Sequence, residues 1–141
     1  METISEEQTS WLDRPLFSTI KVNWETVIFV TILVLAVITR FYALESRVMS
    51  HDETSHVYFS WLYEQGRGYS HDPVTHGPLQ FHLVGLSYLL FGDNDFTARI
   101  PAALFSVATI AFMWNYRKLI GRTGALVAAA LFLISPYMLY Y

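Results

Sequence analysis

Three apolar runs, residues 26–44, 100–116 and 123–141, hold a single formal charge between them, Arg40. Each is close to the ~20 residues that a helix needs to span a bilayer core. Backbone polar groups inside lipid must be satisfied within the segment itself, which selects α-helix for such runs. Only 15% of the 141 residues are charged and 53% are hydrophobic, whereas soluble domains carry about 25% charged residues. The expected fold is therefore an all-α membrane protein with three transmembrane helices. Arg40 lies near the end of the first run, where its long stem is expected to lift the guanidinium toward the headgroups.

Residues 1–23 are acidic and polar, with Glu2, Glu6, Glu7 and Asp13 against Arg14 and Lys21. A secretory signal would begin basic and have a shorter apolar core, so this stretch is expected to be a cytosolic tail ahead of an uncleaved anchor. Residues 24–141 form one membrane unit, with no repeat or low-complexity linker to divide it. Arg117, Lys118 and Arg122 cluster between the second and third runs, while the segment from Glu45 to Asp95 holds seven carboxylates against Arg47 and Arg67. Loop 45–99 is accordingly expected on the outer face of a multi-pass plasma-membrane protein. The chain is still apolar at Tyr141, and the expectation is the N-terminal part of a longer protein.

Two helices are expected inside the outer loop. From Asp52 to Tyr63 aromatic and aliphatic residues recur at helical spacing, and Gly66 and Gly68 supply a stop, which suits an amphipathic helix lying on the membrane. Pro78 to Phe91 is apolar and closed by Gly92 and the turn-forming Asp93-Asn94. Its 14 residues, with His82 inside, fit an interfacial or re-entrant segment better than a full crossing.

Chemistry concentrates in the same loop. His51-Asp52-Glu53 follows directly on the first apolar run, and paired carboxylates at the mouth of a membrane helix point to a functional site, although Ser50 and Asp52 are also ordinary N-cap residues. One acid of such a pair can take a proton from an incoming hydroxyl or amine while its neighbour orients the site or a divalent metal ion. His51, Glu53 and His56 superficially resemble a helix-borne zinc motif. His51 and His56 are five residues apart, about 140° around a helix, which does not face them on one metal; Asp52 and His56 are the pair at the helical repeat. A second cluster holds His71, Asp72, Thr75 and His76, with Gly77 and Pro78 opening the next helix, where free N–H groups attract phosphate. Arg99 is a cation that could meet that phosphate or anchor at the headgroups. The absence of cysteine excludes thiolate chemistry, and a net charge of -3 without a basic stripe excludes nucleic acid.

The order of these motifs carries a resemblance. A first span, Asp52-Glu53 opening a loop helix, then HGPLQFHLVGLSYLLFG and DFTARIPAALF, resembles the start of the GT-C class of membrane glycosyltransferases, over roughly Arg40 to Tyr141. The nearest group is that of the protein mannosyltransferases and aminoarabinose transferases, and within it the flippase-associated N-glycosylation proteins. The resemblance implies transfer of a sugar from a polyprenyl phosphate carrier to an acceptor, protein or glycolipid, on the outer face. By analogy Asp52 would be the general base and Glu53 would support it or orient the site; His51, His56, His76 and Arg99 would be substrate contacts. The family's H-P-P-L segment reads His76-Gly77-Pro78-Leu79 here, a close but incomplete fit. The rival expectation is a noncatalytic membrane protein that binds or translocates lipid-linked sugars.

Overall fold

A computed structural model describes residues 23–68 and 78–135. It contains five α-helices, α1 (Trp24–Phe41), α2 (His51–Leu62), α3 (Pro78–Phe91), α4 (Asp95–Met113) and α5 (Arg117–Ile134), and the described residues include no strand. This is an all-α membrane protein. Among the described residues two helical stretches are long and apolar enough to cross a membrane, Trp24–Phe41 and the 40-residue Asp95–Ile134. At 1.5 Å per residue the second would be ~60 Å long if straight, twice the core of a bilayer. It is not straight. A 3₁₀ turn at Trp114–Tyr116 and a non-helical Gly121 (φ 77°) interrupt it, and α5 packs back on α4.

The path of the chain follows from side-chain contacts. Arg122 at the start of α5 meets Glu25 at the start of α1 at 3.1 Å, and Phe29 stacks on Trp114 with ring centroids 4.7 Å apart. At the opposite end Arg40 of α1 reaches Phe132 and Leu133 of α5. So α1 and α5 run parallel and α4 runs against them. Their shared core is Phe29, Ile32, Ala36, Ile110 and Ala129. Small residues at these contacts let helix backbones approach, as lipid-embedded bundles require. Val30, Val34 and Ile38 of α1, Leu104 and Phe105 of α4, and Val127 and Leu131 of α5 point outward and are exposed. An apolar exterior around an apolar core is what a bundle standing in lipid requires.

Arg40 departs from the sequence expectation. It turns inward rather than toward the headgroups, is buried, and donates to Ser106 Oγ (3.2 Å), Thr39 Oγ1 (2.9 Å) and the carbonyls of Leu133 and Phe132 (2.9 Å each). The reason is local: α5 ends at Ile134 with Ser135 extended ahead of Pro136, and its last carbonyls lack helical donors. Within the expected run 123–141 helix α5 ends at Ile134, and residues 136–141 lie outside the described part. The second run also begins earlier than expected, at Asp95, because Asn94 and Thr97 form a capping box.

Helices α2 and α3 pack together and against the start of α4, where Val84, Tyr88 and Ala98 form a second core beside Met49, Val57 and Trp61. Pro101 in α4 has no N–H to give the Thr97 carbonyl, and Ser87 Oγ of α3 donates to it instead at 2.7 Å. The helix defect thus becomes an attachment point. Trp61 Nε1 adds a 2.9 Å hydrogen bond to Asp93 Oδ2 in the turn between α3 and α4.

Candidate active site

The two adjacent acids occupy the first turn of α2, and the local sequence explains why that turn forms. Ser50 is the N-cap, its Oγ accepting from Glu53 N at 3.3 Å, while Glu53 Oε2 accepts from Ser50 N at 3.3 Å. This reciprocal box satisfies two free donors and is worth roughly 1 kcal/mol. Before it, the chain leaves α1 through Ala43, whose φ of 51° lies in the left-handed region. That turn brings the Leu44 and Arg47 carbonyls to α4.

There they meet Arg99. Its Nε donates to Glu53 Oε1 at 2.5 Å, its Nη1 to Leu44 O at 2.6 Å and its Nη2 to Arg47 O at 2.9 Å. Arg47 Nη2 lies 3.4 Å from the other Glu53 oxygen. Burial alone would raise the Glu53 pKa, but the hydrogen bond and charge of Arg99, the Ser50 N–H and the Arg47 charge outweigh it and hold the carboxyl below its usual range. Both Glu53 oxygens are thereby committed to protein donors. Arg99 is 5% exposed, and three arms of its fork are turned to acceptors in the chain.

Asp52, one residue earlier, is exposed, and its side chain makes no hydrogen bond or ion pair among the described residues. The neighbouring acids are therefore divided, one turned into the protein and one to the surroundings. A separation of about 100° between successive helical residues produces that division. His51 is exposed beside Asp52, whereas His56 faces α3 with its ring 5.1 Å from Phe81. His76, and with it His71, Asp72, Thr75 and Gly77 of the second cluster, lies outside the described residues. The described residues contain no group of three or more metal-ligating side chains.

Of the residues singled out from sequence, the fold brings Glu53 and Arg99 together and leaves Asp52 open. Arg47 and Ser50 complete the cluster. Ser50 was legible as a cap; Arg47 gave no signal, because its role depends on Arg99, 52 residues away. The described residues also line two surface cavities, neither of which includes a residue of this cluster. One, of about 370 Å³, is an apolar groove between α3 and α4 that includes Leu83, Leu90, Ile100 and Leu104. The other, of about 490 Å³, lies between the end of α2 and α3, with Tyr63, Glu64 and His82 beside Leu86 and Leu89.

Residues 75–141 match the family model of the dolichyl-phosphate-mannose-protein mannosyltransferases. The resemblance read from the sequence is borne out over that segment, which includes α3, α4, α5 and Arg99. The family is one of membrane glycosyltransferases that use a lipid-linked sugar donor. No curated protein and no solved structure matches the chain.

Proposed function

We propose that the protein transfers a sugar from a polyprenyl-phosphate-linked donor to a protein or glycolipid acceptor at the outer membrane face, with Asp52 as general base. The observation that carries this reading is the division between the two acids: Glu53 is consumed by the fold, while Asp52 stands open on a capped helix start. The family match over residues 75–141 supplies the donor class. In the reaction Asp52 takes the proton of the acceptor hydroxyl or amide as that group attacks the anomeric carbon. The bond from sugar to lipid phosphate breaks, the lipid phosphate leaves and the configuration inverts.

In the membrane arrangement that goes with this reaction, residues 1–23 and the turn at Arg117–Arg122 are cytosolic, loop 45–99 is outside, and the protein is an integral component of the plasma membrane. The basic turn lies at the end of the bundle away from Asp52, which supports that orientation. The exposed His51 beside Asp52 is a candidate contact to the donor or acceptor.

The test is Asp52→Asn in the intact protein. Loss of a general base should lower turnover by about 10²–10⁴-fold with donor binding largely retained. Unchanged transfer would remove Asp52 from the mechanism. A protein that binds or translocates lipid-linked sugars would show no transfer in either form, only altered binding.

A further inference from the structure

We propose that Arg99 and Glu53 are positioning residues that aim the Asp52 carboxylate, an inference that rests on the transfer chemistry above. The open acid sits on a short helix whose connection to α1, residues 42–50, has no regular structure beyond its turns. Such a connection by itself fixes neither the height nor the rotation of the α2 start. Val57 and Trp61 hold the body of α2 on α3 and α4, and Arg99 holds its start. It reaches from a buried position on α4 to two carbonyls of the connection and to the first turn of α2 at once.

The base of this clamp is firm. The α4 turn that bears Arg99 is held by the Asn94–Thr97 capping box, by Thr97 Oγ1 donating to Gly92 O at 2.6 Å, and by Ser87 bonded to Thr97 O. Force therefore passes from α4 through Arg99 and Glu53 to Asp52 across one peptide unit. The same contacts suit Glu53 to the orienting role that the resemblance implied for it, and they turn Arg99 away from the substrate contact expected of it. Arg99, nearly inaccessible and turned to Glu53 and two carbonyls, is not placed to receive a lipid phosphate. Glu53, with both oxygens accepting from protein donors, is not placed to take a proton from an acceptor.

Misplacement of a reacting group by about 1 Å can cost about 10²-fold in rate. Arg99→Lys keeps the charge and loses the fork, and Arg99→Met loses both. In the intact protein Arg99→Met should lower kcat about 100-fold and Arg99→Lys about 10-fold, with the donor KM changed less than about threefold. Amide exchange over residues 44–53 should quicken about tenfold or more in Arg99→Met. The double variant Glu53→Gln with Arg99→Met should be no worse than Arg99→Met within about threefold, because both changes release one clamp. Glu53→Gln should keep the acidic limb of the wild-type pH–rate profile, which a positioning residue does not set.

A raised donor KM with unchanged kcat in Arg99→Met would make Arg99 a substrate contact and overturn the proposal. Loss of the acidic limb in Glu53→Gln would make Glu53 the base and do the same. If the wild-type protein shows no transfer, the transferase reading falls, and amide exchange then judges the clamp alone: quickened exchange in Arg99→Met upholds it, unaltered exchange overturns it.

Discussion

Arg40 and Leu133 are 93 residues apart in sequence, and the guanidinium of the first donates to the carbonyl of the second at 2.9 Å. Together with the bond to Phe132, this makes a side chain of α1 the C-terminal cap of α5. Arg40→Leu leaves both carbonyls and Ser106 Oγ without that donor at a buried helix end. The expected cost is about 2–3 kcal/mol, read as a lowered Tm in detergent, and Arg40→Lys should recover part of it. A Tm equal to that of wild type in Arg40→Leu would mean that water replaces the guanidinium there.

Ser87 and Pro101 should behave as a compensating pair. Ser87→Ala strips the Thr97 carbonyl of its donor and should destabilise by about 1–2 kcal/mol. Adding Pro101→Ala restores the backbone N–H that an uninterrupted helix would offer to Thr97 O, so the double variant should regain most of the loss. Thermal unfolding of the two single variants and the double variant measures the coupling directly. Simple additivity would show that the Ser87 hydroxyl is not standing in for the missing helix bond.

Gly85 is where α3 lets α2 approach. A Cβ there would lie 3.0 Å from the Tyr63 ring and 3.6 Å from the Ser60 carbonyl. Gly85→Ala forces the ring aside and should cost about 1–3 kcal/mol, with faster amide exchange in α2. Adding Tyr63→Ala to it should relieve the clash, and exchange that stays fast in the double variant would place the effect elsewhere.

The Glu53 clamp gives a pH dependence of known sign. Its folded-state pKa is depressed, so the stability it contributes is fully present above the ordinary carboxylate value of about 4.3 and is lost as pH falls through the lower, folded value. Tm measured downward from about pH 6 should fall in wild type, and Glu53→Gln, already lower near pH 6, should fall less steeply. Equal slopes in the two proteins would remove Glu53 from the acid response.

What the sequence made legible was whatever depends on near neighbours. The bounds of α3 could be read from Pro78 and Gly92, the start of α2 from Ser50 as a cap, and the apolar character of α1, α4 and α5 from their charge-poor runs. The fates of Arg40 and Arg99 could not. Each cation has its decisive partners 46 to 93 residues away, and a sequence shows a charge near a membrane end without showing which carbonyls a distant helix leaves open. The same blindness spread the candidate site over both acids, because the spacing of Asp52 and Glu53 places them on different faces of α2 without saying which face meets α4.

The Arg40 cap also fixes an order of events during synthesis. Its two carbonyl acceptors are made more than 90 residues after it, so α1 leaves the ribosome before they exist. Until α5 arrives, that side chain has Thr39 beside it and Ser106 once α4 is made, but neither carbonyl. The Arg40 charge is therefore fully paired only once α1 and α5 stand side by side, which ties the settling of the first helix to the arrival of the last.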